Sequence, residues 1–159
     1  MAGRIDNPEA AKALKQFRLI YGCIRQHFRE VERKCRISGS QLWILREVAG
    51  EPGIGVSQIA ERLFIHQSTC SQLVEKLVSA GLAVKERSKR DQRRVGLSLT
   101  AVGAKLLAEA PGPLEGVFPT VLSMMDQAQL QELNRALANV VENLRTGNPG
   151  FSEEPLADL

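Results

Sequence analysis

The chain has 159 residues, of which 43% are hydrophobic and 25% charged, the range of an ordinary soluble domain with one core. No apolar run approaches the roughly 20 residues that a bilayer span needs, and Met1 to Asp6 lacks the layout of a signal peptide, so a cytoplasmic protein with no membrane partner is expected. The net charge of +3 is uneven: residues 101–159 carry three basic and eight acidic side chains, a net of −5, which leaves +8 on the first hundred residues.

From Leu14 onward, Leu14, Phe17, Tyr21, Ile24, Phe28, Val31 and Cys35 recur at steps of three and four, the stripe of a long amphipathic helix over about Pro8 to Arg36. Ile37-Ser38-Gly39-Ser40 interrupts it with turn and capping residues. Gln41 to Ala49 reads as a second helix with Leu42, Trp43, Leu45 and Val48 on its apolar side, ended by Glu51-Pro52-Gly53. Val56 to Leu63 is a short third helix that Ser57 can cap, and Phe64-Ile65-His66 leads into a fourth from about Gln67 to Ala80. Two short helices joined by a tight turn form a helix-turn-helix.

Gly81 suits a left-handed helix cap. Leu82 to Val84 and Val95 to Leu99 then read as two strands, the second with apolar residues at alternate positions. Between them Val84 to Arg94 holds six basic and two acidic residues, a net of +4, so the pair is a hairpin with a basic tip. Thr100 can cap a further helix from Ala101, which Pro111, Gly112, Pro113 and Pro119 must break or kink. A last helix over about Asp126 to Leu144 carries the stripe Leu130, Leu133, Leu137, Val140 and Leu144, and residues 147–159 read as an acidic flexible tail.

The expected fold class is mainly α with a small β-hairpin wing. A winged helix-turn-helix domain covers residues 37–100, and residues 1–36 with 101–146 form a helical dimerisation region. The terminal stripes lack a partner within one chain, and pairing them across a twofold axis makes a homodimer that presents two winged domains together.

On the fourth helix Cys70, Leu73, Val74 and Leu77 share one face, leaving Gln67, Ser68, Ser71, Gln72 and Glu75 on or near the other. Gln can pair with adenine through two hydrogen bonds and Ser can serve several base edges, so this is chemistry suited to the major groove of double-stranded DNA. A solvated helix face would look the same in isolation; the preceding helix and the following wing favour the reading helix. In the wing, Lys89, Arg90, Arg93 and Arg94 supply phosphate and groove contacts, and Asp91 can direct a neighbouring guanidinium into a narrow minor groove.

The order of elements, the string Arg90-Asp91-Gln92-Arg93-Arg94-Val95, and Leu99, Thr100 and Gly103 after it resemble the MarR (multiple antibiotic resistance regulator) family over about residues 10–145. Ser68 to Leu77, Thr69 included, is similar to the family's recognition helix. The resemblance implies a homodimeric transcriptional regulator, a repressor by family habit, on a pseudopalindromic operator. It places Arg93 at the minor groove with Asp91 orienting it, and it implies an effector that weakens DNA binding. Arg18, Tyr21, Arg25, Phe28 and Trp43 are candidate walls for a small-molecule site between the dimer helices and the winged domain, with plain interface packing as the alternative.

The family includes thiol-based peroxide sensors, whose reactive cysteine precedes a tyrosine in the first helix. Matching Tyr21 to that tyrosine puts Phe17 in the cysteine's place and leaves Cys23 out of position, while Cys35 closes the first-helix stripe and Cys70 lies on the apolar side of the fourth helix, so both read as packing residues. Three cysteines at wide spacing fit neither a disulfide framework nor a zinc ribbon, and His27 and His66 lack neighbours at metal-ligand spacing. No cofactor, metal or catalytic motif is expected, hence no enzyme. The alternative function is a winged-helix module that binds a protein rather than specific DNA.

Overall fold

The computed structural model describes residues 6–87, 95–144 and 152–155. Helix α1 spans Pro8–Cys35. Asn7 caps it by accepting from the backbone N–H of Glu9 at 2.9 Å, Pro8 sits where its missing N–H costs nothing, and Arg36 ends it in the left-handed region at φ 57°. Ser38 and Gln41 then form a reciprocal capping box for α2, Gly39–Gly50, with Gln41 N to Ser38 Oγ at 3.2 Å and Ser38 N to Gln41 Oε1 at 2.9 Å. That box is why α2 starts two residues before the expected Gln41.

Helices α3 (Val56–Leu63) and α4 (Gln67–Ser79) make the helix-turn-helix. Ser57 does not cap α3 as expected; Gly55 is its N-cap residue, and the Gln58 Oε1 accepts from the Gly55 N–H at 3.1 Å. The turn between α3 and α4 depends on Phe64, left-handed at φ 55° and 81% exposed. Strands β1 (Ala83–Arg87) and β2 (Val95–Leu99) pair antiparallel, Ala83 opposite Leu99 and Arg87 opposite Val95. The first strand therefore starts one residue later than expected and takes Lys85, Glu86 and Arg87 into the ladder.

One core unites these elements. Leu42, Ile44 and Leu45 of α2, Ile59 of α3, Leu77 of α4 and Leu97 of β2 are at most 1% exposed, and α1 adds Val31. Each such burial contributes about 1.5–3 kcal/mol. A third extended segment flanks β2: the Gly53 N–H donates to the Leu97 carbonyl at 2.7 Å, and the Leu97 N–H to that of Ile54 at 2.9 Å. Gly96 is glycine for that reason, since a Cβ there would lie 2.2 Å from the Gly53 carbonyl oxygen. It also explains why burial in β2 does not alternate as the pattern of Val95, Leu97 and Leu99 implied: Val95 is 49% exposed while Gly96 and Leu97 are buried.

Thr100 caps α5 (Ala101–Glu109), accepting from the Gly103 N–H at 3.0 Å and donating to the Gly81 carbonyl at 2.7 Å. The proline-rich stretch breaks the chain as expected, giving α5 and a separate α6 (Val117–Ser123), and Asp126 with Gln129 boxes the start of α7 (Gln127–Asn143). Helix α7 has no buried residue, and Phe17, Leu19, Ile20 and Tyr21 of α1 are all at least 40% exposed. No helix among the described residues is long and apolar enough to cross a membrane.

Candidate nucleic-acid interface

Helix α4 is anchored through Cys70, Leu73, Val74 and Leu77, all buried. That anchoring fixes the rotation of the helix, so Gln67, Ser68 and Gln72 face solvent, with Thr69 and Ser71 half-buried at the edges of the exposed face. The five α4 residues expected to read bases thus share one accessible side, the first of them on the opening turn, where free N–H groups favour an anion.

Gln67 also borders a groove of about 840 Å³ whose other walls include Ser57 and Gln58 at the start of α3 and Lys85, Arg87 and Gly96 of the wing strands. Arg87 is an exposed cation on this groove that the sequence reading counted in the basic cluster but did not single out. Ser57 and Gln58 were likewise missed as groove residues; their only signal is their place at the N-terminal turn of the first helix of the pair. Lys85 points the other way chemically. Its ammonium pairs with Glu75 of α4, joining wing to helix, while Glu86 accepts from the Ser98 hydroxyl at 3.1 Å. Lys89, Arg90, Asp91, Arg93 and Arg94 lie outside the described residues, beyond the last rung Arg87–Val95.

A second concavity, of about 500 Å³, lies between α1, α2, the helix-turn-helix turn and α6. Ile24, Phe28, Trp43, Ile65, Phe118 and Leu122 give it apolar walls. Of the five residues expected around an effector, Phe28 and Trp43 line it. Tyr21 and Arg25 instead border a separate shelf on α1, the Arg25 guanidinium 5.5 Å from the Tyr21 ring centre, and Arg18 is exposed on the same helix. His27, 7% exposed, also borders the cavity; burial pushes its imidazole below the ordinary value of 6.5, against the opposing pull of Glu30 and a hydrogen bond to the Pro113 carbonyl. The imidazole is therefore neutral near pH 7.

All three cysteines are free thiols. Burial pushes Cys70 up to about 11, and its thiol donates to the Val56 carbonyl at 3.6 Å; burial also raises Cys35. A thiol at about 11 is ionised to only roughly one part in a thousand at pH 8. Native protein treated with a chromogenic disulfide should therefore react at exposed Cys23 and spare Cys70, and a modest peroxide dose should leave DNA affinity unchanged. Reversible peroxide loss of operator binding, abolished by Cys23→Ser, would contradict this. Among the described residues no group of three or more His, Cys, Asp or Glu is placed to hold a metal.

Residues 37–94 match a family model described as MarR family. The organic hydroperoxide resistance transcriptional regulator of Bacillus subtilis is 31% identical over 96 residues, covering 58% of this chain and 62% of that protein, so the match spans less than two thirds of the relative. The HTH-type transcriptional regulator MgrA of Staphylococcus aureus is 26% identical over 117 residues, covering 74% of this chain and 78% of its own. In three dimensions the transcriptional regulator BldR from Sulfolobus solfataricus superposes with a TM-score of 0.56 at 27% identity, covering 86% of this chain and 99% of that one. Domain model, sequence and superposed fold point the same way: residues 37–94 match a MarR-family model, and the chain is similar in sequence and fold to bacterial and archaeal transcriptional regulators.

Proposed function

We propose that this cytoplasmic protein represses transcription by binding a pseudopalindromic operator as a homodimer, with each α4 in a major groove and each wing at the adjacent minor groove. The observation that carries the reading is the solvent-facing row Gln67, Ser68 and Gln72 on a helix whose opposite face is locked in the core. Residues Thr69 and Ser71 flank that row. Lys89, Arg90 and Arg94 add phosphate contacts, and Asp91 directs Arg93. The apolar cavity lined by Phe28 and Trp43 supports a small-molecule effector. A protein-binding module is not favoured, because the relatives are transcriptional regulators.

Salt titrations on operator and scrambled duplexes test the reading. Gln67→Ala should lose about 1–3 kcal/mol on the operator and little on scrambled DNA, because an amide paired with a base edge discriminates. Arg93→Ala should weaken both duplexes alike and flatten the salt dependence, since it acts through charge and groove width. Wild-type affinity for every duplex in both variants would sink the proposal.

A further inference from the structure

The cavity has one wall that the family resemblance does not supply. Ser152, Glu154 and Pro155, from the acidic tail, border it alongside Trp43, Phe64 and Ile65. The same segment is tied to the recognition helix. The His66 N–H donates to the Glu153 carbonyl at 3.2 Å, and the Glu153 carboxylate lies 2.7 Å from the His66 Nδ1. His66 is the N-cap residue of α4, immediately before Gln67, and its own side chain makes no capping hydrogen bond. One short segment thus touches both the cavity and the end of the helix that reads DNA.

Two features set what this arrangement does. The first is charge. Glu153, held against the His66 amide, stands beside the opening turn of α4, where helical N–H groups draw anions, so a docked tail and a DNA phosphate compete for the same region. The second is tenure. His66 and Glu153 are 47% and 54% exposed, and an exposed side-chain contact of this kind adds little stability, so the tail can leave at small cost.

We propose that Ser152–Pro155 is a removable wall of the cavity, which when docked completes a site for an uncharged or cationic aromatic ligand and opposes DNA at α4. The ligand class follows from the lining. Its aromatic and aliphatic walls take a flat apolar body, and its ionisable members are the carboxylates Glu115 and Glu154 and a neutral His27. Glu115 already has Arg46 at 3.5 Å, and the cavity walls carry no cation among the described residues to hold a carboxylate ligand. Ligand binding then favours the docked tail, the docked tail disfavours DNA, and by linkage DNA must weaken the ligand by the same factor. This coupling rests on the reading of α4 as the DNA-reading helix.

The test uses the full chain, with N-phenyl-1-naphthylamine as a neutral aromatic probe. Three proteins are compared with wild type: Glu153→Gln, Gly-Ser-Gly-Ser in place of residues 152–155, and Glu132→Gln on α7 as a control of equal charge to the first. The first two should bind the operator about threefold to tenfold tighter than wild type, as expected when a blocked fraction is released, and Glu132→Gln should not. The same two should bind the probe more weakly, exchange the His66 amide faster, and lose most of the probe's inhibition of operator binding. Wild-type operator and probe affinities in the Gly-Ser replacement would overturn the proposal. Failure of the α4 reading shows separately, as Gln67→Ala leaving operator binding intact.

Discussion

Gly103→Ala is expected to destabilise the protein by about 3 kcal/mol, the upper end for forcing extra volume into a packed site. A Cβ at Gly103 would lie 1.9 Å from the Leu82 carbonyl oxygen and 2.9 Å from its carbon, both rigid backbone atoms. Helix α5 would have to lift away from the strand entry. Lifting it strains the bond from the Thr100 N–H to Leu82 O, 3.1 Å, and that from the Thr100 hydroxyl to Gly81 O, 2.7 Å. The same substitution at Gly22, where an added Cβ meets nothing within 4 Å in the middle of α1, should instead stabilise by about 0.5–1 kcal/mol, because Ala restricts the unfolded chain and favours helix. Chemical denaturation of both variants measures the contrast. A Gly103→Ala midpoint equal to wild type would mean that α5 is not held against Leu82 as described.

That contact explains what part of the recognised signature does. Leu99, Thr100 and Gly103 were legible as a motif, and in the fold Thr100 and Gly103 join the wing to α5 through a cap and a close backbone approach. The long stripes of α1 and α7 were equally legible, because a spacing of three and four survives whether or not one chain alone buries the side chains. The helix-turn-helix could be placed for a similar reason: Cys70, Leu73, Val74 and Leu77 repeat with the helical period and are the residues that the core takes up.

What the sequence hid depends on contacts between distant segments. Nothing local marks Gly53 and Ile54 as a third strand-like neighbour of β2, since the bonds are made to Leu97 more than forty residues on. Lys85 counts as a free positive charge until Glu75 is seen to take it. Ser57 looked like the cap of α3 because its hydroxyl is the usual capping group, but Gln58 reaching back to the Gly55 N–H does that work two residues earlier. The cavity draws on α1, α2, the helix-turn-helix turn, α6 and the tail, and so Tyr21 and Arg25, plausible walls by helical spacing, fall outside it while His27 and Phe118 fall inside.

The largest functional effect should come from Leu137→Glu combined with Leu144→Glu. Helix α7 is 17 residues long and buries no side chain within the chain, and Val140, Val141 and Leu144 are 45%, 62% and 55% exposed. An isolated helix of that length is marginal in water, and an exposed apolar stripe of this extent, like the exposed Phe17 and Ile20 of α1, is the kind of surface that association covers. In the proposed homodimer a second copy of the chain covers both stripes at once across a twofold axis. Carboxylates placed in that dry seam have no partner and should split the dimer. The winged domain should survive the split, because every residue of the buried core falls between Val31 and Leu97 and none comes from α7. The expected double variant is a monomer by sedimentation with its main unfolding transition preserved. Its operator affinity should fall by roughly 10²–10⁴, the avidity lost when two half-sites are no longer engaged by one particle, while its weak affinity for a single half-site remains. A variant that sediments as a dimer with full operator affinity would remove α7 from the interface, and wild type sedimenting as a folded monomer at micromolar concentration would remove the dimer itself.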